Sequence, residues 1–421
     1  MKTEAKPGDL VEVHKDKEIY EGVLLEAPAA EKNVILIKLD NGYNIGFNKK
    51  DVRDIKLIEK GEVVNEKFKI EQSKGKPEIA MIITGGTLAA RLDPKTGGVT
   101  APDSPEEIFK YYPEVFEIAN VIRVEVPFVK DSGEMDPEDW KKIAKIAVEF
   151  LNNQNIKGVI ITHGTDSLHY TAEALSFFLK DLNKPVVLTY SQRSTDRASS
   201  DASLNLKCAA IAATSDIAEV MLVGHASGND DYCLAMRGTK ARKLHSSKRD
   251  AFKPVNSRPF AKITEDDLEV IGTHNIRNKG KVKLDSKYES NVAIIKYHPG
   301  LSPKILDHFI KLGYKGVVIE VLGLGQIAAK ESKYNWIPKI KAAVKKGITI
   351  CAAAQTIHGR VNPLVYATGR ELVESGVIYL DDMLSETALV KLGWVLAHKN
   401  WNAKEKMLEN ISGEFSDRLE G

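Results

Sequence analysis

Cysteine is scarce in this chain: Cys208, Cys233 and Cys351 are widely separated and form no CxxC pair. That excludes a disulfide framework and a zinc ribbon, and leaves the three as small core residues. Long apolar runs are also missing. No uninterrupted stretch approaches the roughly 18 residues of a membrane span, and the start, MKTEAKPGDL, has no apolar signal segment. The reading is a cytoplasmic protein without membrane contact. Charge of one sign is absent too, because 60 basic residues meet 58 acidic ones and leave +2 with histidines neutral. This balance excludes the footprint of a strongly basic domain, so any RNA contact must be local or made by a partner. No GxxxxGK[ST] loop and no HExxH pair occurs, so neither an ATP-binding loop nor a metal site is expected.

What is present divides the chain. Its 421 residues exceed what one core usually organises. Residues 1–60 hold short β-rich runs, DLVEVH, YEGVLLEA, NVILIKLD and YNIGF, with Asn41-Gly42 as a hairpin signal. They predict a small antiparallel barrel that resembles SH3-like modules. Residues 61–76 are rich in Lys and Glu and suit an exposed linker. From residue 77 the pattern changes to α/β. EIAMIIT, GVIITH, KPVVLTY and IAEVMLVG are continuous apolar runs, as strands of a parallel sheet covered on both faces must be, and helical patterns lie between them. A polar stretch near residue 285 precedes a second α/β series, NVAIIKYHP, GVVIEVLG, GITICAAA and GVIYL, with helical patterns ending near Lys399. The expected domains are therefore 77–285 and 286–421.

Ligands of such sheets bind beyond the carboxyl ends of strands, and two polar turns are expected there. TGGT ends one apolar run with a pair of glycines and Thr87; HGTD ends another with Thr165 and Asp166. Each has a plain alternative as a helix cap followed by a dipole-matching acid. Together they can converge on one ligand, with a threonine hydroxyl attacking an adjacent carbonyl. Such a hydroxyl needs a base. His163 and His169 are near in sequence but read equally well as structural residues. The segment RGTKARKLHSSKRDAF, residues 237–252, reads alone as a basic surface loop around Lys243 or a phosphate contact.

TGGTLAA, DSGEMDPEDW, HGTDSLHYTAEAL and RGTKARKLHSSKRDAF followed by Asn256 stand in the order in which bacterial-type L-asparaginases carry them, and residues 78–400 resemble that family. The resemblance implies an asparaginase-like pair of α/β domains. It also implies that Thr87 and Thr165 are the two active-site threonines, completed by Asp166 and Lys243, and that Ser132 binds the substrate α-carboxylate. An ammonium has no lone pair, so Lys243 must shed its proton before it can accept one. Which threonine attacks first stays open.

Two departures separate this chain from free-standing asparaginases. Gly133 and Glu134 follow Ser132 where many of them have glutamine and an acid, and the N-terminal module has no counterpart in them. Both features, with the terminal ENISGEFSDR, resemble the D subunits of archaeal glutamyl-tRNA(Gln) amidotransferases. This second resemblance implies a glutaminase that supplies ammonia to a partner, the E subunit. The assembly implied is a homodimer core with two E subunits, a heterotetramer. ATP and Mg2+ would be used by the E subunit, which would also make most contacts with Glu-tRNA(Gln), and the present chain would need no cofactor. The alternative is a free-standing cytoplasmic L-asparaginase or glutaminase. GLGQ, residues 323–326, is the segment expected to reach a neighbouring copy's site.

Overall fold

In the computed structural model, residues 4–25, 33–41, 43–61, 74–86, 91–92, 99–100, 113–193 and 199–418 are described. The N-terminal module contains β1 (Leu10–Lys15), β2 (Glu18–Leu25), β3 (Val34–Lys38), β4 (Asn44–Asn48) and β5 (Asp54–Glu59). They form one antiparallel sheet in the order β4-β3-β2-β1-β5. Alternating residues, Val11 and Val13 on β1 and Ile35 and Ile37 on β3, turn inward and meet Phe47, Val52 and Ile55 in a separate small core. The expected hairpin joins β3 to β4, with Leu39 N donating to Tyr43 O at 2.9 Å; Gly42 lies outside the described residues, as does most of the linker. The sheet curls around its core without hydrogen bonding between β4 and β5 among the described residues.

The next sheet is built on β6 (Glu78–Ile83), β7 (Asn120–Glu125), β8 (Ile156–Thr162), β9 (Val186–Thr189), β10 (Val220–His225), β11 (Cys233–Arg237), a detached hairpin β12 (Ala241–Lys243) and β13 (Phe252–Pro254), then β14 (Ala261–Ile263) and β15 (Leu268–Val270). The sheet order is β15-β14-β11-β10-β9-β8-β6-β7. From β10 to β7 all neighbours are parallel, as the apolar runs predict. The other edge is antiparallel, which the reading of a parallel sheet did not include. The cause is loop length: residues 226–232 between β10 and β11 are too few for a crossover helix, which needs a dozen or more.

Strand alternation divides the buried residues of this sheet between two layers. Ile79, Met81, Ile83 and Ile160 pack on the side of helix Ala202–Thr214. Ala80, Ile82, Val159 and Ile161 pack against α1 (Pro137–Leu151) and α2 (Leu168–Phe178). The start of α1 is specified locally by DPED: Pro137 opens the helix, and Asp136 and Asp139 form a reciprocal capping box.

A second sheet, β16 (Val292–Lys296), β17 (Gly316–Val321), β18 (Thr349–Ala354) and β19 (Ile378–Tyr379), is parallel in that order. The helix Ser385–Leu396 covers one face and packs on α2, with Phe177 and Trp394 stacked at a centroid separation of 5.6 Å. The layer between the two sheets is thus a shared core, which includes Val318, Cys351 and Leu392 from the second domain. All three cysteines are buried and free. The polar stretch around residue 280 is tied to the first domain: Asn183 donates to Gly280 O at 2.6 Å, and Asn152 donates to Val282 O and accepts from Val282 N, each at 3.0 Å. Helices do not stop near Lys399. A further short helix, Ala403–Leu408, follows because Asn402 caps it by accepting from Glu405 N.

Beyond it, Glu414 and Lys391 form an ion pair of 2.6 Å with both side chains fully buried. Lys391→Met would leave the Glu414 carboxylate without its cation, and a buried charge stripped of its partner costs about 3 kcal/mol or more. The expected result is a lower urea unfolding midpoint. Adding Glu414→Gln to that variant recovers more than half of the loss; a double variant no better than the single one would show that packing, not charge, is responsible.

Candidate active site

The adjacent carboxyl ends of β6 and β8 define the site. Thr84 binds β8 twice, its N and its Oγ1 both donating to Thr162 O at 3.2 and 2.9 Å. The chain then turns through Gly85 and Gly86 at φ +116° and +82°. A β-carbon on Gly85 would stand 2.4 Å from Lys130 O, and one on Gly86 would stand 2.5 Å from Gly164 N. Only glycine meets both the backbone angle and the lack of space. Thr87 follows immediately in sequence and lies outside the described residues.

On the β8 side, Thr165, Asp166 and Ser167 precede α2. Ser167 is the helix N-cap, but its hydroxyl donates to Ser132 O at 2.6 Å and does not cap. Thr165 is not the cap either, so the plain alternative fails for it. The Thr165 Oγ1 accepts from Lys243 Nζ at 2.8 Å, and the same ammonium donates to Asp166 Oδ1 at 2.7 Å. Ser132 is buried and its Oγ accepts from Asp166 N at 3.0 Å, which leaves the serine O–H for another acceptor. Thr165, Asp166, Lys243 and Ser132 are therefore brought together. A side chain at exposed position 133 would meet nothing nearer than Asp131 Oδ1 at 3.8 Å, so packing does not require Gly133.

Neither nearby histidine is placed to act as the base. His163 is fully buried, with Nδ1 2.7 Å from Gly164 O and Nε2 2.8 Å from Thr171 Oγ1. A carbonyl only accepts, so Nδ1 carries the hydrogen and Nε2 takes the threonine's. Burial pushes its pKa down to about 4. His169 packs against Tyr170 and Phe252 and is pushed down to about 3, first by burial and then by Arg242 and Lys243.

The loop reading of residues 237–252 needs correction. Lys243 ends a short strand paired with β13 in the register Lys243 to Phe252, and its side chain is only 12% exposed. Alternation along this strand separates the cations. Lys240 Nζ reaches Asp382 at 2.7 Å with both side chains buried, and Arg242 Nη2 reaches Glu386 at 2.8 Å. Both anions belong to the second domain, while Lys243 faces Thr165. Asp382 and Glu386 escaped sequence reasoning because nothing local marks an acid as the partner of a residue far along the chain. Among the described residues, no group of three or more His, Cys, Asp or Glu is arranged to hold a metal ion.

Residues 5–58 match the family described as GatD N-terminal domain, residues 78–275 that described as Asparaginase, N-terminal, and residues 291–408 that described as Glutaminase/Asparaginase C-terminal domain. The chain is 46% identical over 421 residues to the D subunit of glutamyl-tRNA(Gln) amidotransferase from Pyrococcus furiosus, covering 97% of this chain and 94% of that protein. Its identity to the protein of the same name from Methanothermobacter thermautotrophicus is 42% over 419 residues, covering 98% and 94%. Among solved structures, the thermostable L-asparaginase from Thermococcus kodakarensis aligns with a TM-score of 0.71 at 29% identity, covering 80% of this chain and 99% of that one.

The two buried histidines give the fold an acid sensitivity. In the unfolded chain each titrates near 6.5, so below that pH the unfolded state binds protons that the folded state refuses. Their contribution to stability is complete above pH 6.5 and is lost as the pH falls toward 4. For His163 the loss is on the order of 3 kcal/mol, at about 1.4 kcal/mol per pH unit. The urea midpoint should drop between pH 7.5 and 4.5, and drop less in His163→Gln; equal drops would exclude His163 as a source.

Proposed function

The chain belongs to the family of glutamyl-tRNA(Gln) amidotransferase D subunits, and from that premise we propose that it hydrolyses glutamine and hands the ammonia to a partner subunit that converts Glu-tRNA(Gln) to Gln-tRNA(Gln). The observation that carries the chemistry is the contact of Lys243 Nζ with Thr165 Oγ1 and Asp166 Oδ1, beside two histidines whose burial keeps them neutral.

In this reading Lys243, as the free amine, takes a threonine proton while the hydroxyl oxygen adds to the carboxamide carbon. The C–N bond then breaks, the nitrogen leaves as ammonia after protonation by the lysine ammonium, and water hydrolyses the resulting ester to glutamate. Thr165 is the hydroxyl in contact with Lys243; Thr87 is the second candidate nucleophile. Ser132, with its hydroxyl hydrogen available, would hold the substrate α-carboxylate, and Asp166 would hold the substrate ammonium or orient Lys243. Ammonia must stay unprotonated to act on the activated glutamyl ester, so an enclosed route between subunits is required.

The same reading assigns ATP and Mg2+ to the E subunit, with most of the Glu-tRNA(Gln) contact, and puts the complex in the cytoplasm. No helix among the described residues is long and apolar enough to cross a membrane. A homodimer core carrying two E subunits is supported by the second domain's surface. Leu364, Val365 and Tyr366 are exposed there, and Asn362 N binds Leu324 O at 2.8 Å beside the GLGQ turn. Gln326 Nε2 is buried with no hydrogen-bond partner in the single chain.

The test is ammonia release from glutamine and asparagine by the chain alone, then with its E subunit and Glu-tRNA(Gln). Turnover should be low alone and rise sharply in the assembled complex. Thr165→Val and Lys243→Ala should each lower it by at least a hundredfold, the scale of a lost acid–base group. Full turnover without a partner, with asparagine preferred, would make the protein a free-standing asparaginase.

A further inference from the structure

The C-terminal tail packs back across both α/β domains and lines a cavity of about 450 Å3 beside the strand that leads to the Lys243 hairpin. The lining contains three arginines, Arg237, Arg258 and Arg418, against one carboxylate, Asp417. Three guanidinium groups around one polar cavity repel each other unless an anion lies between them.

Arg237 is fixed in advance. One face of its guanidinium lies over the Phe260 ring, 4.4 Å from the centroid, and the other lies against Gly413. A β-carbon on Gly413 would stand 2.4 Å from Arg237 Nη1, and its φ of +72° also favours glycine. Two N–H groups donate to Thr273 O at 3.1 Å and Ser412 O at 3.5 Å, and Glu219 stands 3.6 Å from Nη1. A guanidinium has five such donors. Burial disfavours its charged form, and Glu219 and Glu414 oppose that effect only partly. Arg258 and Arg418 are exposed at the rim, so the charge is deepest where the side chain is most rigid.

We propose that this cavity binds a single phosphate-type oxyanion through Arg237, Arg258 and Arg418. Planar guanidinium groups match such an anion with paired N–H donors. A cavity of this size suits one phosphate group, whether inorganic phosphate or one residue of an RNA backbone. It does not suit a duplex tracked along its length, for which the near-neutral chain has no basic stripe. Because Arg237 ends β11, directly before the turn and strand that carry Lys243, occupancy would bear on the hairpin as well.

The first experiment is calorimetric titration of the full chain with inorganic phosphate, against sodium chloride of equal ionic strength. The comparison protein is the double variant Arg258→Ala, Arg418→Ala, in which neither substitution touches Thr165, Lys243 or the buried Arg237. Saturable phosphate binding that weakens at least tenfold in the variant, with an unchanged thermal midpoint, is expected. No saturable binding above the chloride control, or equal affinity in both proteins, would overturn the proposal. This arm is independent of the glutaminase reading. A second arm measures tRNA binding by the assembled complex as a function of salt. A slope of log K against log salt shallower by about 0.9 in the variant would identify the anion as one RNA phosphate. An unchanged slope with phosphate binding retained would identify it as a free oxyanion.

Discussion

Two backbone turns meet at the carboxyl edge of the first α/β sheet with no room for a side chain between them, and the site takes its shape from that crowding. Gly86 approaches Gly164 so closely that a β-carbon on the former would overlap the latter's backbone. Gly164 in turn presses on Ser132, where a β-carbon would lie 2.7 Å from Oγ. Three separate segments, after β6, after β7 and after β8, are thereby packed into one small volume. The hydroxyl of Ser132, the amide of Asp166 and the hydroxyl of Thr165 then have little freedom to rearrange, which is the preorganisation that amide cleavage requires.

The fourth group, Lys243, arrives from outside the sheet, and its placement depends on the second domain. The turn before it is anchored by the buried Lys240–Asp382 pair, and the strand itself by Arg242–Glu386. Burial lowers the pKa of Lys240, and Asp382 opposes that shift. Such pairs contribute little net stability when compared with apolar packing, but breaking one is costly, so they set geometry more than strength. The tail adds to the same clamp: Ser416 N donates to Asp382 Oδ1 at 3.1 Å, and Thr239 Oγ1 donates to Ser412 O at 3.0 Å. Catalytic geometry in the first domain is thus held by acids of the second.

Much of the architecture was legible from periodicity. The continuous apolar runs EIAMIIT and GVIITH became neighbouring parallel strands, and DPED announced the start of α1 through its own capping chemistry. The antiparallel edge, β11 with β14 and β15, was not legible, because short strands such as Ala261–Ile263 carry too few residues for a pattern. Position 243 was legible only through order-of-motif resemblance, since a lysine among lysines and arginines has no local mark of its depth.

What the sequence by itself determined is the set of reactive groups and their local frames: glycines able to turn at positive φ, threonines and an acid where strands end, and a shortage of cysteine, metal ligands and phosphate loops. Those properties belong to single residues and near neighbours, so they survive without the fold. Tertiary structure alone decided which nitrogen reaches Thr165. His163, two residues away in sequence, is held between Gly164 and Thr171 with no lone pair to spare, whereas Lys243, distant in sequence, is pressed against the hydroxyl at 2.8 Å. The choice depends on burial and on two ion pairs crossing between domains, and those exist only once the chain is packed.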